Sequence, residues 1–328
     1  MKRIIICADG TWNKPDQKDQ GKRKPTNVVK TARAILPMAM DGTSQIVFYN
    51  DGVGTNWGID KIAGGGFGIG LSANIVDAYQ FLVLNYEPGD EIYLFGFSRG
   101  AFTVRSLAGL IDEVGLLPKD HAFFTPEAYT LYRNGAEAPS IEKFKSEHSV
   151  RNTKIKFVGV WDTVGALGIP VGIFKWFNKQ YEFHKVELVD SIDNAYQALA
   201  IDEKRKPFGP ALWKLPAGSG QTLEQVWFTG VHSNIGGGYS KDGLANISLH
   251  WIKEKAQSHG LEFDEEFLDH YRPWHMHELR DSMTLLYRLL GPKLRPVCTG
   301  ERTNETIHPS VRKRMSEDNT YSPKNLKD

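Results

Sequence analysis

Residues 96–100 read Gly96-Phe97-Ser98-Arg99-Gly100, a serine with glycine at both second neighbours. The apolar run 91–97 (EIYLFGF) leads into it, and a helical pattern over 99–114 leads out. A serine on such a strand-to-helix turn is strained and lifts its hydroxyl above the sheet. Side chains two residues before and after would collide there, which favours glycine at both positions. The chemistry is nucleophilic attack on an ester carbonyl. The Arg99 backbone N–H, at the positive end of the helix, can donate to the oxyanion that forms. The competing reading is a tight turn with no chemistry. The strand before and the apolar helix after favour the catalytic one.

A serine nucleophile needs a base, and the base needs an acid to orient it. Among ten histidines, His232 has the fitting address, directly after the apolar run 225–231 (QVWFTGV) and before Gly236-Gly237-Gly238. A histidine at the carboxyl end of a strand lies where open α/β sheets build their sites. Asp162 is the preferred acid because it ends the run 154–161 (KIKFVGVW). Asp202 is the competitor, read on a helix among charged neighbours, where a solvated face is the usual explanation.

Two further carboxylates, Asp9 and Asp51, each precede a glycine after an apolar run. The loop at Gly10 and Thr11 is expected to give the second oxyanion donor. Asp9 and Asp51 either hold a cation, tie loops together, or serve as Asp-Gly turn chemistry. No further ligands at hard-cation spacing accompany them, so no metal and no cofactor are expected.

These residues require a scaffold of strand carboxyl ends. The runs 3–8, 45–49, 91–97, 154–161 and 225–231 are nearly continuous in apolarity, as strands covered on both faces are. Helical patterns over 26–36, 73–86, 99–114, 190–204 and 244–257 alternate with them, the first opening at a Thr26 or Asn27 cap. Strand–helix alternation predicts a mostly parallel central sheet with helices on both faces. One domain is expected over 1–300, with a polar, solvated tail over 301–328. Residues 164–189 combine glycine and proline with many aromatics, including Phe174 and Trp176. The stretch reads as a lid or substrate-facing wall, or else as a packed surface excursion.

Bulk properties narrow the partners. Lys plus Arg is 40 and Asp plus Glu is 39, a net charge of +1. So even a balance creates no long-range field for nucleic acid or anionic membranes, and any lipid contact must be local, transient and apolar. The two cysteines make no disulfide framework or metal spacing, and Cys7 reads as a buried thiol. No 18-residue apolar span and no signal-peptide pattern are present, so a cytoplasmic location is expected, and export by a machine that reads no such peptide stays open.

Taken together, the blocks Asp9-Gly10-Thr11-Trp12-Asn13, Tyr49 to Thr55, Pro88 to Gly109 around the serine, Trp161-Asp162-Thr163-Val164 and Val231-His232-Ser233 resemble a known family. It is the α/β-hydrolase domain family that includes the phospholipase effectors of type VI secretion. The resemblance implies an α/β-hydrolase-like fold, a triad of Ser98, Asp162 and His232, and hydrolysis of lipid esters. Asn234 departs from the Asp expected after the histidine. Two other classes compete. A nucleotide-binding module would use Gly68-x-Gly70-x-x-Ala73, which no predicted strand enters. A non-catalytic interaction domain would keep only the scaffold.

Overall fold

Each apolar run is a strand whose alternate side chains enter two different cores. In β1 (Arg3–Ala8), Ile4 and Ile6 join one cluster and Ile5 and Cys7 the other, and all six residues are buried. This is the period-two geometry of a strand with cover on both faces. The computed structural model describes residues 1–10, 18–52, 66–150, 153–164 and 187–326, and all their side chains except those of 66–69 and 286.

After β1 come a short antiparallel ribbon, β2 (Lys18–Asp19) and β3 (Lys22–Arg23), and then α1 (Asn27–Ala34), β4 (Gln45–Asn50) and α2 (Gly66–Asn85). The chain continues through β5 (Glu91–Phe97), α3 (Arg99–Val114), α4 (Thr125–Asn134), α5 (Ala138–His148) and β6 (Ile155–Trp161). It then forms β7 (Asn194–Ala200), β8 (Thr222–Phe228), α6 (His232–Gly236), α7 (Gly243–Ser258) and α8 (Glu265–Leu268). The last elements are α9 (Leu285–Leu289), β9 (Glu305–Ile307) and α10 (Pro309–Glu317). The seven-stranded sheet has the order β4-β1-β5-β6-β7-β8-β9, and all of its pairings are parallel. One face packs on α2 and α3 through residues such as Tyr79, Leu82, Val104 and Leu107. The other packs on α1 and α7 through Val28, Leu249 and Ile252. The expected α/β fold with helices on both faces is what forms. Among the described residues, no helix is long and apolar enough to cross a membrane.

Two expectations need correction, and the competing nucleotide-binding reading can be placed. Residues 190–204, expected to be helical, contain β7 instead. Ala, Leu and Gln favour helices in isolation, but this stretch lies between β6 and β8 and takes its backbone partners from both. The stretch beyond 300 is no solvated tail. β9 extends the sheet beside β8, and Val311 and Tyr321 are buried with Trp227 and Leu199 in a third cluster. The glycine-rich run from 66 opens α2, so Gly68, Gly70 and Ala73 lie inside a helix rather than at its entrance from a strand. That placement removes the dinucleotide geometry. Thr26, not Asn27, caps α1 and accepts the Val29 N–H at 3.2 Å. Cys7 and Cys298 are both free thiols, the first buried. Within the expected lid, residues 165–186, with Phe174 and Trp176, lie outside the described residues. At its two ends Val164 bridges Pro210, and Glu187 bridges Lys214.

A buried glutamine joins the C-terminal part to the sheet. Gln225 is fully buried, accepts from the Trp213 N–H at 2.9 Å, and donates to the Trp213 carbonyl at 2.9 Å and the Thr303 carbonyl at 2.6 Å. Gln225→Leu leaves those groups dry and unpaired. We predict a loss of about 3 kcal/mol in urea unfolding, and a midpoint unchanged from the parent would refute this role.

Candidate active site

The reactive turn is built by close backbone packing. Ser98 joins β5 to α3 at φ 57° and ψ −117°, a conformation rare for any residue but glycine. A Cβ at Gly96 would lie 2.6 Å from the Ala101 Cα, and one at Gly100 only 2.0 Å from the Ala8 carbonyl oxygen. The helix start is thus pressed against the end of β1, and only glycine fits. The Ser98 N–H donates to the Trp161 carbonyl at 3.0 Å, which ties the turn to the neighbouring strand just before Asp162. Arg99 begins α3, so its N–H lies at the positive end of that helix.

Asp162 and His232 meet. Asp162 follows β6 at φ 43°, and its N–H donates to the Ala198 carbonyl at 2.7 Å. Its Oδ2 lies 2.5 Å from His232 Nδ1, and its Oδ1 accepts the Ala200 N–H at 3.0 Å. His232 opens α6, four residues after Phe228 ends β8. Its ring packs on Phe97, the residue before Ser98, with centroids 4.7 Å apart, and edge-on against Phe208 at 5.1 Å. Occupation of Nδ1 by the carboxylate directs the proton to that nitrogen and leaves Nε2 as the basic one. Burial alone would raise Asp162. The Arg295 charge and the His232 hydrogen bond outweigh it and hold the carboxyl well below its ordinary range. Burial pushes His232 below its ordinary value, and Asp162 offsets this only in part.

The other expected residues take different parts. Asp202 lies in the loop after β7, accepts the Gly230 N–H at 2.8 Å and the Tyr321 hydroxyl at 2.9 Å, and is raised by burial. It braces the turn before His232, while Asp162 holds the ring. Asp9 ties loops together. It accepts from the Gly10 N–H at 2.7 Å, the Thr26 hydroxyl at 2.6 Å and the Tyr49 hydroxyl at 3.0 Å. The Gly10 N–H is therefore directed at Asp9, and Thr11 lies outside the described residues. Asp51 is exposed, and its carbonyl accepts from Asn74 at 3.5 Å. Among the described residues no three His, Cys, Asp or Glu side chains are grouped to hold a metal. Asn234 secures the α6 turn, accepting from the Val231 N–H at 3.3 Å and donating to the Glu278 carbonyl at 3.2 Å.

Two partners of the site carry no signal in the sequence. Arg295 donates to both oxygens of Asp162. Glu203 is buried, accepts the His232 N–H at 3.2 Å, and binds Arg205 through both oxygens at 2.9 and 2.8 Å. Arg205 in turn lies 3.5 Å over the Phe208 ring. In the sequence the 202–205 run is indistinguishable from a solvated charged face.

Residues 2–255 match the family model for the catalytic domain of the Tle1-like phospholipase effectors of the type VI secretion system. The chain belongs to that family. An uncharacterised protein of Saccharomyces cerevisiae, YEL023C, is 31% identical to this Tle1-like chain over 232 residues, 63% of the chain and 32% of the yeast protein. The chain thus spans about a third of that relative's length. A crystal structure of an uncharacterised Pseudomonas aeruginosa protein is similar to it at 18% identity and a TM-score of 0.49, over 80% of this chain and 46% of that one. The Tle1-like match ends at residue 255, before Arg295.

The packing at Gly100 is directly testable. Gly100→Ala forces a Cβ into the Ala8 carbonyl, so the Tle1-like elbow must shift or the fold must loosen. We predict a loss of roughly 3 kcal/mol or failure to fold, read by thermal melting. A variant as stable as the parent would contradict the close approach.

Proposed function

We propose that the chain is a serine hydrolase that cleaves the carboxylic esters of phospholipids through an acyl-enzyme, with Ser98 as nucleophile, His232 as base and Asp162 as the orienting acid. The observation that carries this reading is the 2.5 Å contact between His232 Nδ1 and the buried Asp162 carboxylate, with the His232 ring packed on Phe97, the residue before the strained turn at Ser98. Membership in a phospholipase effector family supports the lipid ester as substrate.

The chemistry follows from the tautomer. His232 Nε2 takes the Ser98 hydroxyl proton as Oγ attacks the ester carbonyl carbon. The charge that develops on the carbonyl oxygen is received by the Arg99 N–H, and, with the Gly10 N–H held by Asp9, the second donor is assigned to Thr11. Asp162 stabilises the imidazolium without accepting its proton. Collapse expels the alcohol, which takes that proton from Nε2. Water then attacks the acyl-enzyme, again losing its proton to Nε2, and the fatty acid leaves with Ser98 restored.

The strained backbone at Ser98 has a use in this scheme. A residue held at φ 57° does not need to rearrange before attack, so its hydroxyl is pre-positioned by the fold. Burial of the acid and base strengthens their interaction, since little water screens it.

Ser98→Ala should reduce phospholipid and p-nitrophenyl ester hydrolysis by roughly a thousandfold or more with the fold retained. Full activity in that variant would refute the nucleophile. Asp162→Asn should be nearly as damaging, whereas Asp202→Asn should keep most of kcat, because Asp202 braces a turn. The reverse order would exchange their roles. The base must be neutral to act, and His232 is shifted below 6.5 by burial. Activity should therefore rise with pH through an apparent pKa below 6.5 and be level at neutral pH, as a kcat/KM profile will show. A limb above 7 would contradict the assignment.

A further inference from the structure

We propose that Arg295 is a positioning residue for the Asp162–His232 pair and sets the pH range in which His232 acts as a base. The inference rests on the triad reading above. Arg295 lies beyond the region matched by the family model and reaches the site from the C-terminal part of the chain.

The geometry is a fork on a fork. Arg295 Nη1 donates to Asp162 Oδ1 at 2.6 Å, and Nη2 donates to Oδ2 at 3.0 Å. The same two nitrogens donate to the Ala200 carbonyl at 2.9 Å and the Phe208 carbonyl at 2.5 Å. Each Asp162 oxygen then has two partners: Oδ1 has Arg295 and the Ala200 N–H, and Oδ2 has Arg295 and His232 Nδ1. A carboxylate filled in this way cannot rotate, so the ring it holds has one orientation. Arg295 also holds the backbone of Phe208, whose ring covers His232. The arginine is itself anchored, because Asn325 donates to its carbonyl at 3.1 Å and to the Ile201 carbonyl at 3.0 Å.

The charge has a separate effect. Asp162 is fully buried and Arg295 is 4% exposed, so their attraction is little screened. The guanidinium neutralises the carboxylate and so weakens the pull of Asp162 on a proton at His232. The other charged groups near His232 are Glu203, which raises its affinity for a proton, and Arg205, which lowers it. These two are bonded to each other and act on His232 in opposite directions. Tyr239 follows α6 and interacts with both. Arg99 on α3 interacts electrostatically with Tyr287 on α9, whose ring meets Phe208 edge-on at 6.2 Å. Arg295 is the charge applied directly to the acid. Its removal leaves Asp162 uncompensated, so His232 binds its proton more tightly and needs a higher pH to become a base.

The test measures the rate at which a fluorophosphonate labels Ser98 as a function of pH, in the full-length parent, Arg295→Met and Arg295→Lys. Turnover of p-nitrophenyl butyrate is followed in parallel. Arg295→Met should label at least tenfold more slowly at neutral pH, with the acidic limb moved up by roughly one unit. Arg295→Lys keeps the charge and loses the fork. It should label several-fold more slowly with its limb near that of the parent. If Arg295→Met does not fold, Arg295→Lys carries the test, and a rate equal to the parent's overturns the proposal. A folded Arg295→Met protein with the parent's limb also overturns it, while the triad stands. A parent that takes no label at Ser98 overturns the triad and this inference together.

Discussion

The carboxylate of Asp162 is the constraint around which the site is arranged. It is fully buried at the carboxyl edge of a parallel sheet, where an ionised group is stable only with every oxygen partnered. The partners come from separate parts of the chain: the Ala200 N–H at the end of β7, the His232 ring after β8, and Arg295 near the C-terminus. A parallel sheet makes this convergence possible, because the carboxyl ends of its strands all open on one edge. Asp162, His232 and Ser98, the proposed acid, base and nucleophile, follow β6, β8 and β5, which lie close together in the strand order.

The turn at Ser98 is held by exclusion of side chains rather than by attraction. The missing Cβ atoms at Gly96 and Gly100 let α3 approach both its own strand and β1. Gly236 extends the same device, since a Cβ there would lie 2.0 Å from the Phe97 ring. Phe97 contacts the His232 ring, so the turn that carries the serine and the turn that carries the histidine share one aromatic contact. Strain at Ser98 and Asp162, both with positive φ, persists because the packing around them allows no relaxation.

Much of this was legible from residue order. Strands buried on both faces lose the polar alternation that marks a half-solvated strand, so β1, β5 and β6 stand out as apolar runs and the residues after them as site candidates. β7 was not legible. Its Asn194-Ala195-Tyr196-Gln197-Ala198-Leu199-Ala200 composition suits a helix, and only its place between two strands makes it extended. Arg295 and Glu203 were not legible either. A charged side chain becomes a buried clamp only when distant segments close over it, and nothing in the neighbouring residues announces that closure. The same holds for Val311 and Tyr321, sparse apolar positions in a polar stretch that find a core against Trp227.

Catalysis in this scheme requires that His232, oriented by Asp162, acts on Ser98. The measurement that addresses it most directly is a crystal structure of the protein after reaction with a fluorophosphonate. The expected result is a bond from Ser98 Oγ to phosphorus, with His232 Nε2 within about 3 Å of that oxygen and the phosphonyl oxygen turned toward the Arg99 N–H. Phosphorus on another residue, or a His232 ring that keeps Asp162 but stays out of hydrogen-bond reach of Ser98, would contradict it.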